Sequence, residues 1–444
     1  MVVWLAVLPG LLAGCRGEGP RGTVLIVVDT LRADHLGVYG YERPTSPELD
    51  AWAARAVVFD RAFSTSPWTV PAFGSLLTGA LPSRHGAGRR LRESQWRHTT
   101  RLDSSVTTLP EALGADGVVT GAIVNNSWLP PAVGMNRGFA SYDFKAPAKG
   151  DERRAADSVQ DALAWIDRQR GSRFFLMLHI LDPHMDYDAP PPFRGRFTSL
   201  VDGPFELPVH GPRQIDARAA RIGEAEREFI VAAYDEEIAS VDDALGRFFA
   251  ALEARGLWDD LLVVLTSDHG EELFDHGGFE HGHSMYGELL HVPLLIWGPG
   301  LRAGRRPEVV SLADVPATLA DGMGSSSFDA PFGRSLWPAL KGGDPVGSRV
   351  LVAEGTLYGP EQASSTRWPL KLIVEPLSLR RSLFQLDQDP EEKHDLVLEE
   401  PRTVRALADE LQRIIEEARS DSVPDEVEFD EETREQLRAL GYTE

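Results

Sequence analysis

The sequence predicts a doubly wound, mostly parallel α/β sheet with helices on both faces, followed by a smaller α+β subdomain. Two observations support this prediction. Continuous apolar runs at 23–29, 174–179 and 261–268 are rich in β-branched residues and leucine, as in strands buried on both faces. Amphipathic segments at 157–168 and 226–252 lie between these runs. Strands that alternate with helices indicate a parallel sheet with helices on either side.

The C-terminal part has a different pattern. Residues 324–350 are rich in Gly, Ser, Pro and Asp, which suggests a linker. Short strands are predicted at 349–354, 370–374 and 382–386, and an amphipathic helix at 403–418. We therefore divide the chain into three parts: a leader and tether at 1–22, a main domain at 23–344 and a C-terminal subdomain at 345–444.

The composition limits the class of protein. The chain has 444 residues, of which 42% are apolar and 25% charged, so it can bury a full core. Its formal charge of −23 argues against a nucleic-acid partner, because such proteins need a basic face for the phosphates. An anionic substrate stays possible, since a bound cation can dominate the local field.

The single cysteine, Cys15, excludes an intramolecular disulfide. The apolar run 1–14 is too short to span a bilayer and suits the hydrophobic region of a signal peptide. Residues 12–15, Leu-Ala-Gly-Cys, resemble a bacterial lipobox, which implies cleavage before Cys15 and acylation of its thiol. The expectation is an exported lipoprotein, anchored to a membrane on the periplasmic side or at the cell surface. The alternative is an apolar N-terminus with an unrelated cysteine.

Carboxylates follow two of the predicted strands. Asp29 ends the first strand, and Asp268 and His269 end the third. In open α/β sheets the ligand site lies beyond the carboxyl ends of the strands, so these distant residues are expected to converge. Two carboxylates and one imidazole suit Mn²⁺, Zn²⁺ or, less well, Ca²⁺. The alternative for the Ser-Asp-His-Gly segment alone is a solvated turn.

Histidines are concentrated after two of the strands. His276, His281 and His283 lie within eight residues, and His179 and His184 follow the second strand. Two clusters at the functional edge of a sheet are better explained as ligands, or as donors to an anionic group, than as isolated surface residues. Either His276 or His179 is expected to be structural.

Thr69 lies in a segment, 64–79, that predicts an extended entry, a proline-bounded turn and a helix starting near Pro71. The threonine hydroxyl is thereby placed at a helix N-terminus, where backbone N–H groups favour an anion. Such a hydroxyl can be an N-cap or a nucleophile. From the segment alone, the N-cap is the favoured interpretation.

Several motifs together resemble the sulfatase family of the alkaline phosphatase superfamily. They occur in order along the chain from about residue 23 to the C-terminus. The matching segments are 28–40, 69–79, 267–271, 291–294, 314–319, 384–396 and 437–442. The resemblance implies an alkaline-phosphatase-like fold.

The resemblance also implies a metal site. One divalent ion (Mn, Zn, Ca or Mg) would be held by Asp29, Asp268 and His269, with the oxygen of Thr69 as a further ligand. The ion would lower the pKa of the nucleophile and polarise the ester oxygens.

Further residues are assigned by the resemblance alone. His184 resembles the histidine that family members direct at the tetrahedral anion of the substrate. His281 stands where relatives place a lysine against the leaving group or the anion, and His283 is the nearby alternative. Asn126 falls roughly where many sulfatases have another lysine, and is assigned to substrate binding.

Two positions depart from the family pattern. Sulfatases with aryl-sulfate chemistry carry Cys or Ser, oxidised to formylglycine, where this chain has Thr69, and an arginine where it has Phe73. Threonine has a secondary hydroxyl, so maturation to an aldehyde is excluded. The chain resembles instead the threonine branch of the superfamily, which includes phosphoglycerol and phosphoethanolamine transferases and phosphodiesterases.

The leading hypothesis is a metal-dependent hydrolase that cleaves sulfate or phosphate esters with Thr69 as the nucleophile. The substrate would be an anionic ester on a glycan, a lipid or a small molecule, and residues 203–221 would form part of the pocket wall. One alternative is phosphoryl transfer to a lipid or glycan alcohol. Another is a non-catalytic binding protein on the same fold.

Overall fold

The computed structural model describes residues 19–88, 98–147, 152–201, 222–420 and 425–439. The helices in these ranges are α1 Pro47–Ala53, α2 Thr69–Thr78, α3 Pro82–His85, α4 Leu109–Ala115, α5 Ala155–Arg168, α6 Glu224–Ala254, α7 Gly287–Leu290, α8 Asp314–Gly322, α9 Trp337–Leu340, α10 Pro401–Ala418 and α11 Glu431–Ala439. The strands are β1 Gly22–Val28, β2 Val57–Phe63, β3 His98–Thr100, β4 Val119–Val124, β5 Ser141–Phe144, β6 Phe174–Ile180, β7 Leu261–Thr266, β8 Glu272–Leu273, β9 Phe279–Glu280, β10 His291–Val292, β11 Leu294–Trp297, β12 Gly304–Ser311, β13 Leu351–Glu354, β14 Ala363–Arg367, β15 Leu370–Glu375, β16 Arg380–Gln385 and β17 Glu426–Glu428.

A large central sheet organises the main part of the molecule. Its strand order is β10-β2-β11-β7-β1-β6-β4-β5, and β12 pairs with β2. The inner strands β7, β1, β6 and β4 are parallel to one another. The antiparallel pairs are those of β11 with β2 and β7, and of β10 with β2. The carboxyl ends of β1, β6 and β7 therefore lie at one edge of the sheet.

The central strand β1 shows why the sheet needs helices on both faces. All seven of its residues are buried. Val24, Ile26 and Val28 belong to one apolar cluster, which includes residues of α1, α5 and α6. Leu25 and Val27 belong to a second cluster, which includes residues of α2, α4 and α8. Alternate side chains of a strand point to opposite faces, so a continuous apolar run requires two cores.

The C-terminal region forms a separate antiparallel sheet in the order β13-β14-β15-β16. Helix α10 packs its apolar residues Val404, Leu407 and Ala408 on this sheet, in a cluster with Leu372 and Leu383. The sheet also contacts the main part of the chain. The backbone N–H of Glu354 donates to Thr65 O at 3.0 Å, and that of Leu357 to Gly282 O at 2.6 Å.

The fold class predicted from sequence is confirmed: the structure is a mostly parallel α/β sheet with a smaller α+β part. The helices at 157–168, 226–252 and 403–418 exist with ends within a few residues of those predicted. The expected linker, 324–350, contains the short helix α9. Strand β14 was not predicted, because its sequence Ala-Ser-Ser-Thr-Arg has no apolar run.

Two expectations fall outside the described residues. Cys15, with its leader, and the expected pocket wall at 203–221 both lie there. Within the ranges that the structure describes, no helix is long and apolar enough to cross a membrane.

Candidate active site

Two carboxylates and an imidazole meet at the carboxyl edge of the central sheet. Asp29 directly follows β1, and Asp268 and His269 follow β7, the parallel neighbour of β1. One ligand atom from each residue lies within 4.8 Å of the other two. All three side chains are fully buried. The pairing of Val27 with Thr266 sets this proximity, because it brings the two strand ends level.

Asp29 is held through one oxygen only. Its Oδ2 accepts a hydrogen bond from Nδ2 of Asn126 at 2.6 Å and lies 3.1 Å from Nε2 of His179. Because Nδ1 of His179 accepts the backbone N–H of Asn125 at 3.2 Å, the His179 proton is assigned to Nε2, which donates to Asp29. Burial alone would raise the pKa of Asp29, but the His179 hydrogen bond and the surrounding imidazoles lower it to about 2.

Asp268 shows the opposite balance. Its Oδ1 accepts backbone N–H groups from His269 at 3.0 Å and from Thr30 at 3.4 Å. Burial, followed by the negative charge of Asp29, raises its pKa well above the ordinary value. Two ionised carboxylates this close repel one another, so the pair is suited to a cation between them.

The orphaned atoms of this cluster fit a divalent metal ion. Asp29 Oδ1 and Asp268 Oδ2 are buried and have no hydrogen-bond partner among the described residues. His269 donates Nδ1–H to Gly270 O at 2.9 Å, which leaves a lone pair on Nε2, 3.3 Å from Asp268 Oδ2. Burial lowers the pKa of His269 to about 4, so the ring is neutral at pH 7. Two carboxylate oxygens and a neutral imidazole nitrogen form an ordinary donor set for such an ion.

Thr69 is the first residue of α2 rather than its N-cap. The N-cap is Trp68, whose side chain makes no capping hydrogen bond. The N-cap interpretation of the isolated segment was therefore wrong, because the helix starts two residues before Pro71. The Thr69 side chain is buried, and its Oγ1 lies 3.3 Å from Nε2 of His269. The hydroxyl thus adjoins the candidate metal site.

Two of the predicted histidines join the cluster. The ring of His281 lies 4.5 Å from that of His269 and 5.1 Å from that of His184, between ring centroids. Nδ1 of His281 lies 2.8 Å from Oε1 of Glu271, and Nδ1 of His184 lies 2.8 Å from Met185 O. Burial and the neighbouring imidazoles lower the pKa of His281 well below its ordinary value.

The other predicted residues lie at different distances from the centre. Asn126 contacts Asp29 directly, as described above. The side chain of His283 is a quarter exposed, and its Nε2 lies 2.6 Å from Oε2 of Glu272. His276 bonds Glu288 at 2.7 Å and stacks on Tyr286 with ring centroids 3.6 Å apart, in a separate network.

Sequence reasoning missed two buried residues beside the cluster. Glu271 accepts the hydroxyl of Tyr187 at 3.2 Å on the oxygen that does not face His281. Burial, followed by the charge of Asp29, raises the pKa of Glu271 well above its ordinary value. The Asp-His-Gly-Glu motif contained the signal for Glu271, but only its first two residues were given a role. Tyr187 carried no recognisable signal.

Phe73, which stands where sulfatases carry an arginine, lies in apolar surroundings. Phe73 lies on α2, is fully buried and packs edge-on against His179, with ring centroids 5.3 Å apart. His179 in turn bonds Asp29, so Phe73 supports the cluster through packing and contributes no charge.

The fold and this buried cluster define a class, the sulfatase-like ester hydrolases, and the family comparison agrees. A family model described as Sulfatase matches residues 21–325, more than half of the chain. The chain belongs to the sulfatase family.

Individual relatives are distant. The chain is 27% identical over 406 residues to the multifunctional alkaline phosphatase superfamily protein PehA of Trinickia caryophylli, over 73% of this chain and 78% of that protein. It is 24% identical over 435 residues to an arylsulfatase of Clostridium perfringens, over 84% and 89%. Among solved structures, a phosphonate monoester hydrolase of Agrobacterium radiobacter superposes with a TM-score of 0.73 at 22% identity, covering 90% of this chain and 96% of the other.

Proposed function

We propose that this protein is a metal-dependent hydrolase that cleaves sulfate or phosphate esters with Thr69 as its nucleophile. The observation that carries the proposal is the position of the Thr69 hydroxyl, 3.3 Å from His269 Nε2 in the buried Asp29–Asp268–His269 cluster. A hydroxyl that served only to cap a helix would have no reason to contact His269, which belongs to a cluster with two unsatisfied carboxylate oxygens.

Asp29, Asp268 and His269 would hold the ion, with the Thr69 oxygen beside them. A divalent ion there would supply Lewis-acid stabilisation of the tetrahedral anion and lower the pKa of the hydroxyl. Asn126 and His179 fix the Asp29 carboxylate through Oδ2, which leaves Oδ1 available. Such outer partners orient a ligand and tune its affinity.

The chemical step follows the family pattern of a covalent intermediate. Thr69 Oγ1 forms a bond to sulfur or phosphorus while the bond to the leaving oxygen breaks, and the leaving alcohol takes up the proton that Thr69 loses. Water then cleaves the Thr69 ester and restores the hydroxyl. A sulfate or phosphate monoester substrate yields the inorganic anion, and a phosphodiester yields a phosphate monoester. The N-terminus of α2 would offer backbone N–H groups to the anion. His184 and His281, whose ring centroids lie 5.1 Å apart, would contact its remaining oxygens.

The nature of Thr69 favours phosphate esters over the usual sulfatase chemistry. Its secondary hydroxyl cannot mature to an aldehyde, and Phe73 replaces the arginine of the maturation motif. The relative named as an alkaline phosphatase superfamily protein and the arylsulfatase relative support both ester classes. The substrate is an anionic ester, and a glycan, a lipid or a small molecule can carry it.

The test compares kcat/KM on an aryl sulfate and a matched aryl phosphodiester. Thr69→Val removes the oxygen while keeping the shape of the side chain, and Thr69→Ser retains a hydroxyl. We expect the phosphodiester to be preferred and Thr69→Val to lower kcat/KM by more than about 1000-fold, as for loss of a nucleophile. Thr69→Ser should retain part of the activity. Unchanged turnover in Thr69→Val would exclude Thr69 as the nucleophile.

The same assay separates hydrolysis from transfer. In the absence of any acceptor, a hydrolase releases the aryl alcohol together with an equal amount of inorganic sulfate from the sulfate ester, or of phosphate monoester from the phosphodiester. A transferase would require an added acceptor alcohol and would form a new ester.

We also propose that the protein is an exported lipoprotein acylated at Cys15. The support is the Leu-Ala-Gly-Cys segment after an apolar run, at residues 12–15. Fatty-acid labelling of the wild-type protein and of Cys15→Ser tests it. Label on the wild type alone is expected, and label on neither protein would overturn the proposal.

A further inference from the structure

A cavity lies between the main part of the chain and the C-terminal sheet. Its volume is about 740 Å³, within the range of ordinary small-molecule sites. Leu81, which directly precedes α3, and Arg84, which lies in α3, line one side. Residues of the C-terminal half of α10 line another. The loop 331–334, residues 348–350 and Arg367 complete the lining. We call this cavity the arginine cleft.

The arginine cleft is set apart from the candidate active site by helix α2. Thr69 is the first of the ten residues of α2, and Leu81 follows its other end. A ten-residue helix is about 15 Å long, so a ligand in the cleft would not touch the Thr69 hydroxyl.

The cleft is locally basic in a strongly acidic protein. Among the residues that the structure describes, its lining contains five arginines and two glutamates, and no aspartate or lysine, whereas the whole chain carries a formal charge of −23. A cleft lined mainly by one sign of charge raises the local concentration of ligands of the opposite charge.

Two of these arginines already pair with acidic side chains. Arg349 is buried and forms an ion pair with Asp314, and its Nη1 donates to Phe332 O at 3.1 Å. Arg367 makes a two-pronged contact with Glu410, at 2.5 and 2.7 Å.

Three arginines of the cleft remain available. In the described ranges the guanidinium groups of Arg84, Arg334 and Arg419 make no close ion pair and no side-chain hydrogen bond. Arg419 has only a longer-range charge interaction, with the buried Glu354. The second glutamate of the lining, Glu417, is paired with Arg413 at 3.0 Å. In addition, Nε of Arg349 is buried and has no hydrogen-bond partner in the part of the chain that the structure describes. Arginine is the side chain best shaped to bind sulfate or phosphate through paired N–H donors.

The walls between the arginines are apolar. Leu81 and Val350 are buried members of one cluster, and Phe332 and Ile414 are partly buried against it. A ligand that fits this lining has a sulfate or phosphate group facing the arginines and a less polar body against the walls.

We propose that the arginine cleft is an accessory binding site for a sulfate or phosphate group, formed by Arg84, Arg334 and Arg419. The group can belong to free inorganic anion or to a larger sulfated ligand such as an oligosaccharide. Binding requires no turnover at Thr69, so the proposal is independent of the proposed catalytic function.

Isothermal titration of inorganic phosphate into the full-length protein, at constant ionic strength in chloride buffer, tests the site. Wild type is compared with the triple variant Arg84→Gln/Arg334→Gln/Arg419→Gln, and with Arg405→Gln, an exposed arginine of α10 outside the cleft. Charge-assisted hydrogen bonds of this kind predict that each removed arginine weakens binding by about tenfold. We expect the triple variant to lose one binding event that Arg405→Gln and Thr69→Val both retain. Identical isotherms for wild type and triple variant would overturn the proposal.

Two additions keep the result unambiguous. Arg334 and Arg419 are exposed, so Arg334→Gln and Arg419→Gln will fold even if the triple variant does not, and each should weaken phosphate binding by about tenfold. Titration with a sulfated oligosaccharide and with inorganic sulfate then identifies the source of the anion. If the sulfated oligosaccharide binds wild type more tightly than inorganic sulfate does, and this difference disappears in the triple variant, the ligand is the larger molecule. Equal affinities of the two for wild type indicate the free ion.

Discussion

Nε2 of His269 lies 3.3 Å from the hydroxyl oxygen of Thr69, although 200 residues separate the two in sequence. Thr69 opens α2 after strand β2, and His269 follows β7. The contact joins a nucleophile candidate to a candidate metal ligand in a fully enclosed site. Substitution of a candidate metal ligand tests whether this site binds a metal ion.

Asp268→Asn is expected to abolish stoichiometric metal binding. The variant removes a carboxylate whose Oδ2 has no other partner, so the loss exceeds the 10–100-fold that is typical for an outer partner of a metal ligand. Metal content measured by elemental analysis of purified protein should fall from about one ion per chain to near zero. Asp259→Asn, which changes an exposed aspartate, serves as the control. Equal metal content in wild type and Asp268→Asn would contradict the assignment.

Glu271→Gln is expected to lower kcat/KM by about 10–100-fold without a large loss of stability. Its carboxylate contacts Nδ1 of His281 at 2.8 Å and so sets the orientation of that ring beside His269. Tyr187→Phe, which removes only the hydroxyl bonded to the other oxygen of Glu271, should have a smaller effect. Steady-state kinetics and thermal unfolding of both variants check this. The idea fails if Glu271→Gln keeps wild-type kcat/KM.

The buried ion pair between Lys371 and Glu392 is expected to matter for folding. The two side chains are almost inaccessible and lie 2.9 Å apart, and Glu392 also accepts the backbone N–H of Gly287 at the start of α7. Lys371→Met leaves an uncompensated buried carboxylate, which should cost about 3–5 kcal/mol of the free energy of unfolding. The double variant Lys371→Met/Glu392→Gln should recover part of this loss. Denaturant unfolding measures both, and a double variant no more stable than the single one would argue against the pair.

His85 is expected to make the protein sensitive to acid. It is fully buried beneath α2, where Nε2 lies 3.1 Å from Pro71 O and Nδ1 accepts the backbone N–H of Ala87 at 3.2 Å. Burial lowers its pKa from 6.5 to about 3, so the folded protein disfavours the charged ring that the unfolded chain adopts.

The contribution of neutral His85 to the free energy of unfolding is fully present above pH 6.5. It is lost as the pH falls towards 3. This group alone should lower the free energy of unfolding by about 1.4 kcal/mol per pH unit over that interval. His85→Gln can keep a donor for Pro71 O but does not titrate, so its stability should depend less on pH. Urea unfolding at pH 7, 6, 5 and 4 measures the difference between the two slopes. Parallel slopes for the variant and the wild type would show that His85 does not titrate on unfolding.

The sequence by itself determined the sheet and the residues at its functional edge. Apolar runs such as 261–268 can be buried only in a sheet covered on both faces, and a parallel sheet brings its carboxyl ends together. The proximity of Asp29, Asp268 and His269 follows from these two facts and needed no knowledge of side-chain packing.

Tertiary structure decided what depends on exact position. The local sequence could not decide whether Thr69 is the N-cap of α2 or its first helical residue. The two assignments shift the start of the helix by only one residue. The contact of Asn126 with Asp29 and that of Glu271 with His281 join separate segments through side chains alone. Such contacts carry no sequence periodicity. The arginine cleft likewise joins α3, α10 and the loop between them in space, so only the folded chain brings its charges together.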